Sequence, residues 1–577
     1  MMTPDTAVIP FWPQGPVWPM LILIWPLLVG ALAGLPGLRE KPLRLLPLAP
    51  LPALLLALAR PADGTTLAPD VLLGVVLKTD TLGLTLLGMT AAIWLAAGLY
   101  ALAYMKAPRK PAVFTGFWCL TLTGNLGVFL AADAVTFYVS FAAVSLASYF
   151  LVVHEGTAKA LRAARIYITL AIFGEAMLLT GFVIAVSGAD SLLIADLRAT
   201  LGAPAGEGTL RPVTQGLAIT LIIIGFGLKA GMMPLHLWLP LAHPAAPTPA
   251  SAVLSGAIVK AGIIGLIRFM PEGAVETGTV LMIIGLASAY LAVLLGLTQS
   301  NLKAVLAYST VSQMGLVIAV IGAGIAASDP QALASAGYYA MHHGFAKAAL
   351  FLSVGLLAAT RGGARRALLA GIAIICASVA GLPGTGGALA KMAVKPAFEG
   401  FTLWLVTASG IGTSLILLRY LVLGARVEAD AARPPALMAG PVIVMGLCAL
   451  ILPWLAWSAF DPRPLGYLAG AGAIIDGIWP VLVALALTGL ALSPPLAGRI
   501  PSPAIPEGDI AVPLERGAIR MIRAVTEMEP PVPQAHEWRR VLRVIAPAEA
   551  LERLLLPWRV SGLVILALIL AVALISL

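Results

Sequence analysis

The chain has 577 residues, of which 60% are hydrophobic and 11% are charged, and its net charge is +9. Soluble domains carry about a quarter charged residues, so this composition excludes a soluble fold and an intrinsically disordered chain. The positive charge is better explained by lysine and arginine in membrane loops than by a nucleic-acid surface. The composition therefore predicts an all-α, polytopic membrane protein.

The apolar segments of the chain predict sixteen membrane-spanning helices, since each span needs about 20 apolar residues. In chain order, numbered as spans one to sixteen, they are 17–34, 43–59, 82–105, 112–131, 134–153, 161–187, 215–233, 250–269, 278–297, 305–325, 334–357, 367–390, 402–422, 437–458, 471–496 and 559–577.

The loops between the first seven spans alternate in charge, and this pattern supports the count. The odd-numbered loops are basic, with lysines and arginines at 39–44, 106–110 and 159–165. The even-numbered loops are acidic, with Asp63 and Asp70, Asp133, and Asp190, Asp196 and Glu207. By the positive-inside rule, the N-terminus lies outside and the odd loops are cytoplasmic in a bacterial-type inner membrane.

One long polar segment follows span fifteen. It begins with a proline-rich stretch, continues with two charged, potentially helical pieces, and falls on the predicted cytoplasmic side. Residues 497–558 are interpreted as an interfacial amphipathic helix or strut, with a plain cytosolic linker as the alternative. Residues 559–577 then return to the membrane as an anchor helix.

Several ionisable residues lie at membrane depth, where a charge costs about 2.5–3.5 kcal/mol on insertion scales. They are Glu175 in span six, Lys229 in span seven, Lys260 in span eight, His343 and Lys347 in span eleven, and Lys391 at the end of span twelve. Interhelical salt bridges are the structural alternative, but four lysines face one deep carboxylate. The pattern favours a proton or ion path.

Two of these lysines lie beside glycine- and proline-rich interruptions. The segment 225–244 surrounds Lys229, and the segment 381–391 ends at Lys391. Interrupted helices in two halves of a membrane chain are typical of inverted repeats with a site near the midplane. Ordinary proline kinks are the alternative. Because broken backbone at that depth needs protein or water beside it, we expect water to reach both lysines.

The histidines leave more than one interpretation open. His236 and His243 flank a proline-rich turn with a spacing unsuited to one metal ion, and they are either hydrogen-bonded structural residues or a proton relay. His342 and His343 raise the possibility of haem ligation. However, the chain has six histidines in all, which are too few to favour a two-haem arrangement. We expect no metal and no cofactor in this chain.

The run from Lys229 to Lys260 resembles the signature of the antiporter-like proton-channel family. That family includes large membrane subunits of respiratory complex I, of Mrp-type cation/proton antiporters and of energy-converting hydrogenases. Three further segments match it in order: Asn301–Ser309 with Lys303, His343–Leu352, and Gly381–Lys391. The resemblance covers roughly residues 80–420.

The resemblance implies a fourteen-helix core built from two inverted five-helix repeats, with spans seven and twelve broken. The implied organisation is a three-helix segment at 1–110, repeats at 111–270 and 278–425, two helices at 437–496, a lateral segment at 497–558 and an anchor at 559–577. The lateral segment resembles the arm of the largest complex I subunit of this type, but it is shorter and looks like a brace on a neighbour.

The resemblance also implies a polar axis through Lys229, Lys260, the pair His343 and Lys347, and Lys391. The lysine of span seven pairs in the family with a glutamate on span five, but Ala142 stands at that position here. We expect Glu175 of span six to replace it, since an ion pair about 4 Å apart at an effective dielectric of 20 is worth about 4 kcal/mol.

The sequence thus predicts a proton-translocating subunit of a multisubunit complex, and no catalytic redox site in this chain. Protons would enter near His236, His243 and Lys260, pass Lys229 and the pair His343 and Lys347, and leave at Lys391; His342 and Lys303 are secondary candidates. Two alternatives are a subunit coupling proton-motive force to a soluble partner, as in two-component inorganic-carbon uptake, and a non-conducting scaffold. Expected partners are other membrane subunits, a peripheral cytoplasmic protein in the first of these alternatives, and lipid, but no nucleic acid.

Overall fold

The computed structural model describes residues 17–38, 41–105, 110–204, 210–428, 434–466, 470–493, 505–508 and 517. Within them the chain is nearly all helical. The helices are α1 Val17–Leu32, α2 Leu51–Ala59, α3 Thr81–Tyr104, α4 Pro111–Leu130, α5 Ala134–Val152, α6 Ala158–Val186, α7 Ile194–Gly202, α8 Pro212–Ala230, α9 Trp238–Ala245, α10 Thr248–Val253, α11 Lys260–Phe269, α12 Val275–Leu297, α13 Leu302–Ala327, α14 Pro330–Ala358, α15 Gly362–Ala380, α16 Gly386–Val394, α17 Gly400–Ala425, α18 Ala436–Phe460 and α19 Ala471–Ala491.

The helices confirm the predicted membrane fold. Fourteen helices in the described part of the chain are long and apolar enough to cross a membrane. They correspond to predicted spans two to fifteen, and span two is a 3-10 turn at Pro42–Leu48 that continues into α2. Span one is the shorter helix α1, with Pro26 inside it. The predicted span 559–577 and most of the predicted lateral segment 497–558 lie outside the described residues.

A small antiparallel hairpin forms the one β-sheet among the described residues, where the sequence predicts only a loop. Its strands are β1 Gly64–Ala68 and β2 Val75–Thr79. Asp133 holds it against α5, because its carboxylate caps the helix at the Thr136 amide, 2.7 Å away, and also accepts from the Val76 amide at 2.8 Å. The hairpin therefore closes one end of the helix bundle.

The centre of the molecule consists of α13, α14 and the helical segment Thr248–Phe269. The apolar stretches of α13 and of Thr248–Phe269 are completely buried, and α14 is nearly so. At the periphery, α15 is buried over 33% of its apolar stretch and α19 over only 11%. The central helices carry most of the predicted polar axis, whereas the peripheral ones present apolar side chains outwards.

Helices α12 and α13 approach closely through glycines. A Cβ on Gly285 would lie 2.5 Å from the Ala319 amide nitrogen, and a Cβ on Gly315 would lie 2.7 Å from the Ala289 nitrogen. Lipid provides no hydrophobic drive for helix association, so close packing at small residues is what holds membrane helices together. This contact fixes the position of α13 beside the first helix of the second half.

The chain leaves helical geometry twice within the bundle. After α8, Gly231 adopts a left-handed conformation (φ +80°) and the helix resumes at Trp238 as α9. After α15, Gly381 does the same (φ +93°), and α16 starts at Gly386 with Thr385 as its cap. Glycine permits this backbone conformation at low cost. Lys229 lies at the end of α8, and Lys391 lies within α16.

Candidate functional site

The Lys229 side chain is buried at the end of α8, among aromatic rings. Its Nζ lies 5.6 Å from the ring centres of Phe141 and Tyr167 and 5.9 Å from that of Trp238. The Tyr167 hydroxyl is 3.4 Å from the same nitrogen. Electron-rich ring faces attract an ammonium group, and more strongly where water is excluded. The structure thus surrounds this lysine with three rings and one hydroxyl.

Tyr167 connects Lys229 to two serines of α5. Its hydroxyl donates to the Ser145 carbonyl at 2.9 Å and lies 2.5 Å from the Ser148 Oγ. The sequence does not predict a role for Tyr167, because its contact with Lys229 joins residues 62 positions apart and no local motif indicates it. Ser145 and Ser148 lie one and two turns beyond Ala142 on the same helix.

Glu175 is buried on α6 near this cluster, but it does not touch Lys229. Among the described residues, the two side chains form no ion pair. They interact electrostatically over a longer distance, and the Ser145 hydroxyl faces the carboxylate. One carboxylate oxygen, Oε2, is buried without a hydrogen-bond partner. Glu175 and Lys229 are therefore coupled electrostatically without an ion-pair contact, and the polar side chain within hydrogen-bond distance of Lys229 is Tyr167.

Lys260 and His343 meet at the centre of the bundle. The Lys260 Nζ lies 2.9 Å from His343 Nδ1 and donates to the Ser255 carbonyl at 2.7 Å. Both side chains are buried, at 0% and 1% exposure. Residues Leu254–Ile258 just before the lysine form a π-helical turn, a geometry that recurs at functional sites. The structure brings together two groups predicted separately from the sequence.

Lys347 lies one turn from His343 on α14 and faces α13. Its Nζ donates to the Ser309 Oγ at 2.6 Å and to the Leu306 carbonyl at 3.4 Å. Residues four apart share a helix face, so Tyr339, His343 and Lys347 form one polar stripe. A hydroxyl pair, Ser255 and Thr310 at 2.8 Å, joins the π-helical turn to α13.

His342 faces the opposite direction from its neighbour His343. Its Nε2 lies 3.0 Å from the Ser378 Oγ on α15, and that oxygen also accepts from the Gly387 amide at 3.1 Å. The adjacent histidines thus contact different halves: one touches Lys260, and the other touches the second interrupted helix. This arrangement does not present the two rings as ligands to a common group.

Lys391 lies at the second interruption. Its Nζ donates to the Ala380 carbonyl at 2.7 Å, at the end of α15. It is less deeply buried than Lys229 and lines a small cavity of about 30 Å³ together with Gly410, Lys395 and Asp476. Lys395 and Asp476 form an ion pair of 2.6 Å beside it.

Three polar side chains that the sequence interpretation missed lie between the central helices and α17. The Gln313 amide donates to the Thr413 hydroxyl at 2.9 Å and accepts from the Tyr339 hydroxyl at 2.5 Å. Gln313 lies one turn beyond Ser309 on α13, and Thr413 lies one turn beyond Gly410 on α17. They therefore continue the polar region from Lys347 towards Lys391.

At the first interruption, His236 and His243 are both fully buried. The His243 ring stacks on Phe351 at 4.5 Å, and neither of its nitrogens has a hydrogen-bond partner among the described residues. The His236 ring lies 6.0 Å from that of Tyr308. Nearby, the Lys303 Nζ donates to the Ala246 carbonyl at 2.7 Å. These groups occupy the end of the bundle at which α13 begins.

A short piece of the predicted lateral segment, residues 505–508, packs on this end of the bundle. Glu507 pairs with Lys159 at the start of α6, with a distance of 2.7 Å. The Gln299 amide donates to the Ile505 carbonyl at 3.2 Å. Gly508 lies buried against the Leu241 side chain of α9. Here the segment contacts its own chain, whereas the sequence predicted a brace on a neighbour.

The chemistry of the region is that of exchangeable protons. Lysine, histidine, serine, threonine and tyrosine side chains dominate it, and the described residues contain no group of three or more His, Cys, Asp or Glu that could hold a metal ion. Amines and imidazoles can gain and lose protons, and hydroxyls can both donate and accept hydrogen bonds. Such groups are suited to holding and passing protons.

Comparison with known proteins shows which family and which relatives the chain is similar to. Residues 131–416 match the family described as NADH:quinone oxidoreductase/Mrp antiporter, TM. Hydrogenase-4 component B of Escherichia coli (strain K12) is 33% identical over 296 residues, which cover 49% of this chain and 43% of that protein. An Na(+)/H(+) antiporter subunit of Bacillus subtilis (strain 168) is 28% identical over 56% of this chain and 66% of that protein.

The fold is also that of a solved structure. The Mrp complex from Dietzia sp. DQ12-45-1b matches 92% of this chain and 62% of its own chain, with a TM-score of 0.70 and 22% identity. The match to both curated relatives spans less than two thirds of their length. The sequence resemblance is confirmed: residues 131–416 of this multi-pass membrane protein belong to the NADH:quinone oxidoreductase/Mrp antiporter family.

Proposed function

We propose that this chain is a proton-translocating, antiporter-like membrane subunit of a larger energy-coupling assembly. One observation carries the proposal: the Lys260 ammonium and the His343 imidazole are in contact at 2.9 Å in the fully buried centre of the bundle. Transfer across this contact breaks one N–H bond on the lysine and forms one on the histidine. A buried donor and acceptor at this distance are suited to such a step.

The remaining groups supply an entrance and an exit in this proposal. Protons enter at the end where His236, His243 and Lys303 lie, which the positive-inside rule assigns to the cytoplasm. Lys229, biased by Glu175, exchanges protons with the centre. His343 and Lys347 pass them on through the hydroxyl-rich region, and Lys391 releases them on the other side.

Charge favours H⁺ over Na⁺ as the transported ion. Among the described residues, Glu175 is the buried carboxylate within a spanning helix, whereas lysines and histidines are numerous. Hard metal cations take several oxygen ligands, and a region lined by ammonium groups repels them. Lysines and histidines themselves carry a proton, so their charge does not oppose its passage in the same way.

A flux measurement tests the proposal. The full chain, purified with the subunits that accompany it, is reconstituted into liposomes, and proton entry driven by a potassium diffusion potential is followed with a pH-sensitive dye. We expect Lys229→Ala to lower the flux by about a hundredfold, the contribution of one proton-transfer group. Lys78→Ala, at the exposed position of strand β2, is the matched control. Equal flux in all three proteins would leave a scaffold as the better explanation.

The assembly is identified by what purifies with the chain. The relatives are named as a hydrogenase component and an antiporter subunit. The outward apolar faces of α15 and α19 are surfaces for neighbouring membrane subunits or lipid. Iron–sulfur or quinone-site subunits would indicate a redox complex, small membrane subunits an antiporter, and one large zinc-binding protein a carbon-uptake system.

A further inference from the structure

The environment of Lys229 differs from the one that the family resemblance implies, since Ala142 supplies no carboxylate. Three rings surround the ammonium group, and the described residues place no carboxylate in ion-pair contact with it. Phe141, one of the three, is the neighbour of Ala142 on α5. The helix that carries a glutamate in the resembling family therefore contributes a ring here.

The three rings are held rigidly in place. The Trp238 Nε1 donates to the Leu228 carbonyl at 2.8 Å, which ties α9 to the end of α8. The Tyr167 ring packs edge-on to Trp238 with centres 5.2 Å apart, and Phe141 packs edge-on to Phe226 at 5.5 Å. A group fixed in this way stabilises a cation without having to reorganise.

The Tyr167 hydroxyl has one acceptor direction left for the lysine. Because it donates to the Ser145 carbonyl, a lone pair remains to accept from the Lys229 ammonium. We propose that Phe141, Tyr167 and Trp238 form an aromatic cage that holds the charged form of Lys229 in place of a glutamate on α5. This role rests on the proposed function, because it concerns the lysine that the proton passes.

A neutral cage has a consequence that an ion pair does not have. When a lysine in a buried ion pair loses its proton, an unpaired carboxylate stays behind, and that is strongly unfavourable. Rings and hydroxyls leave no such charge. Lys229 can then exchange its proton while Glu175, farther away, provides the remaining bias.

Tyr167→Phe tests the cage, because it keeps the ring and removes the hydroxyl. We expect the proton flux to fall by about tenfold, the value of one hydrogen bond to a charged group, and the pH profile of the flux to move to lower pH. Ala142→Glu, added to Tyr167→Phe, should restore at least part of the flux, since it returns the charged partner. A purely structural tyrosine would not be rescued in this way.

Tyr420→Phe is the matched control. Tyr420 is a buried tyrosine that also contacts a serine hydroxyl, Ser353 at 3.0 Å, and a backbone carbonyl, Leu350 at 3.1 Å. Wild-type flux in Tyr167→Phe and Trp238→Leu, with Lys229→Ala inactive, would overturn the cage and leave the proposed function standing. Full flux in Lys229→Ala would instead overturn the proposed function.

A second, independent observation concerns residues 505–508, here called the strap. The strap contacts three elements around one end of the bundle: Lys159 at the start of α6, Gln299 after α12, and Leu241 on α9. Leu241 lies two residues before His243, and the Lys303 ammonium lies nearby on the Ala246 carbonyl. We infer that the strap covers the proton entrance beside His243.

The strap includes one ion pair that contributes little to its attachment. Its ion pair is solvent-exposed, with 53% of the Lys159 side chain and 25% of that of Glu507 accessible. Such surface pairs contribute about 0–1 kcal/mol. The strap is therefore held by this weak ion pair together with the Gln299–Ile505 hydrogen bond and the contact of Gly508 with Leu241.

Cysteine labelling tests the strap. Leu241→Cys is made in a full chain whose Cys119, Cys376 and Cys448 are replaced by serine, and the rate of reaction with a membrane-impermeant maleimide is measured. We expect Lys159→Glu, which repels Glu507, to raise the rate by about threefold to fivefold, and the swap Lys159→Glu with Glu507→Lys to reverse this. Ser300→Cys, an exposed position on the same end, should not respond. Equal rates at position 241 in all three backgrounds would overturn the inference.

Discussion

The two interrupted helices place their lysines in different surroundings. In the Lys229 region, formed by α5, α6, α8 and α9, three rings and a hydroxyl enclose the ammonium group. In the Lys391 region, formed by α15, α16, α17 and α19, the ammonium group donates to the Ala380 carbonyl and borders a small cavity. Side chains surround the Lys229 ammonium group, whereas the Lys391 ammonium group contacts a backbone carbonyl and borders a cavity.

The difference follows from where the two helices lie. The residues around Lys229 pack against the fully buried segment Thr248–Phe269 and α13, whereas α15 and α19 lie at the periphery. A cavity of about 30 Å³ exceeds the roughly 10–15 Å³ that one water molecule requires. We infer that the Lys229 region fixes a charge in a dry environment and that the Lys391 region exchanges protons with water.

Charge reversal at each of the two lysines should give the largest difference between the two regions. Lys229→Glu places a carboxylate among rings and near Glu175, and we expect a loss of about 3–5 kcal/mol in stability, the cost of an unpaired buried charge. Lys391→Glu faces Lys395 beside the cavity and should lose only about 1 kcal/mol, as for an exposed pair. Thermal unfolding of the purified proteins, followed by tryptophan fluorescence, measures both.

Lys78→Glu, at the exposed position of strand β2, serves as the control for the thermal measurement and should change stability by less than about 0.5 kcal/mol. If Lys229→Glu and Lys391→Glu destabilised the protein equally, the two regions would be equally dry. The inferred contrast would then be wrong.

Filling the cavity beside Lys391 should have a smaller effect, which is measured as a change in proton flux. A Cβ on Gly410 would lie 3.6 Å from the Lys391 Nζ and 3.0 Å from Pro480, so Gly410→Ala occupies part of the space. We expect the proton flux to fall by about threefold to tenfold, because a methyl group cannot reproduce the hydrogen bonds of a bridging water that it displaces. Gly440→Ala on α18, where a Cβ meets nothing within 4 Å, is the control. An unchanged flux in Gly410→Ala would show that no water in this cavity carries protons.

The sequence predicted several spanning helices well, because long apolar runs and charged loops are local properties. The observed bounds of α3, α4 and α5 agree with the predicted spans within a residue. The interruptions were also predictable, since glycines and prolines next to a buried lysine are unusual within an apolar run. The hairpin at 64–79 was not predicted, because short strands between spans give no comparable signal.

The side chains that contact the buried lysines could not be predicted from the sequence. Tyr167 approaches Lys229 across 62 residues, and Gln313 meets Thr413 across 100. The expectation that Glu175 pairs directly with Lys229 assumed that the two buried opposite charges would touch. In the structure they form no ion pair, and the Lys229 ammonium lies instead within reach of the Tyr167 hydroxyl, whose ring packs on Trp238. Only the tertiary arrangement determines this choice. The roles of these residues in proton transfer stay predictions.

Removing the ion pair beside Lys391 should have the smallest effect. Asp476→Asn, Lys395→Gln and the double variant form a thermodynamic cycle that isolates the pair. Asp476 is 47% exposed on the peripheral helix α19, so we expect a coupling energy below about 1 kcal/mol in thermal unfolding. That result would agree with a Lys391 environment governed by water. A coupling above about 3 kcal/mol, as for a buried pair, would mean that another subunit covers α19 and keeps water out. Both lysines would then lie in dry surroundings, and the two regions would differ only in the groups that contact each lysine.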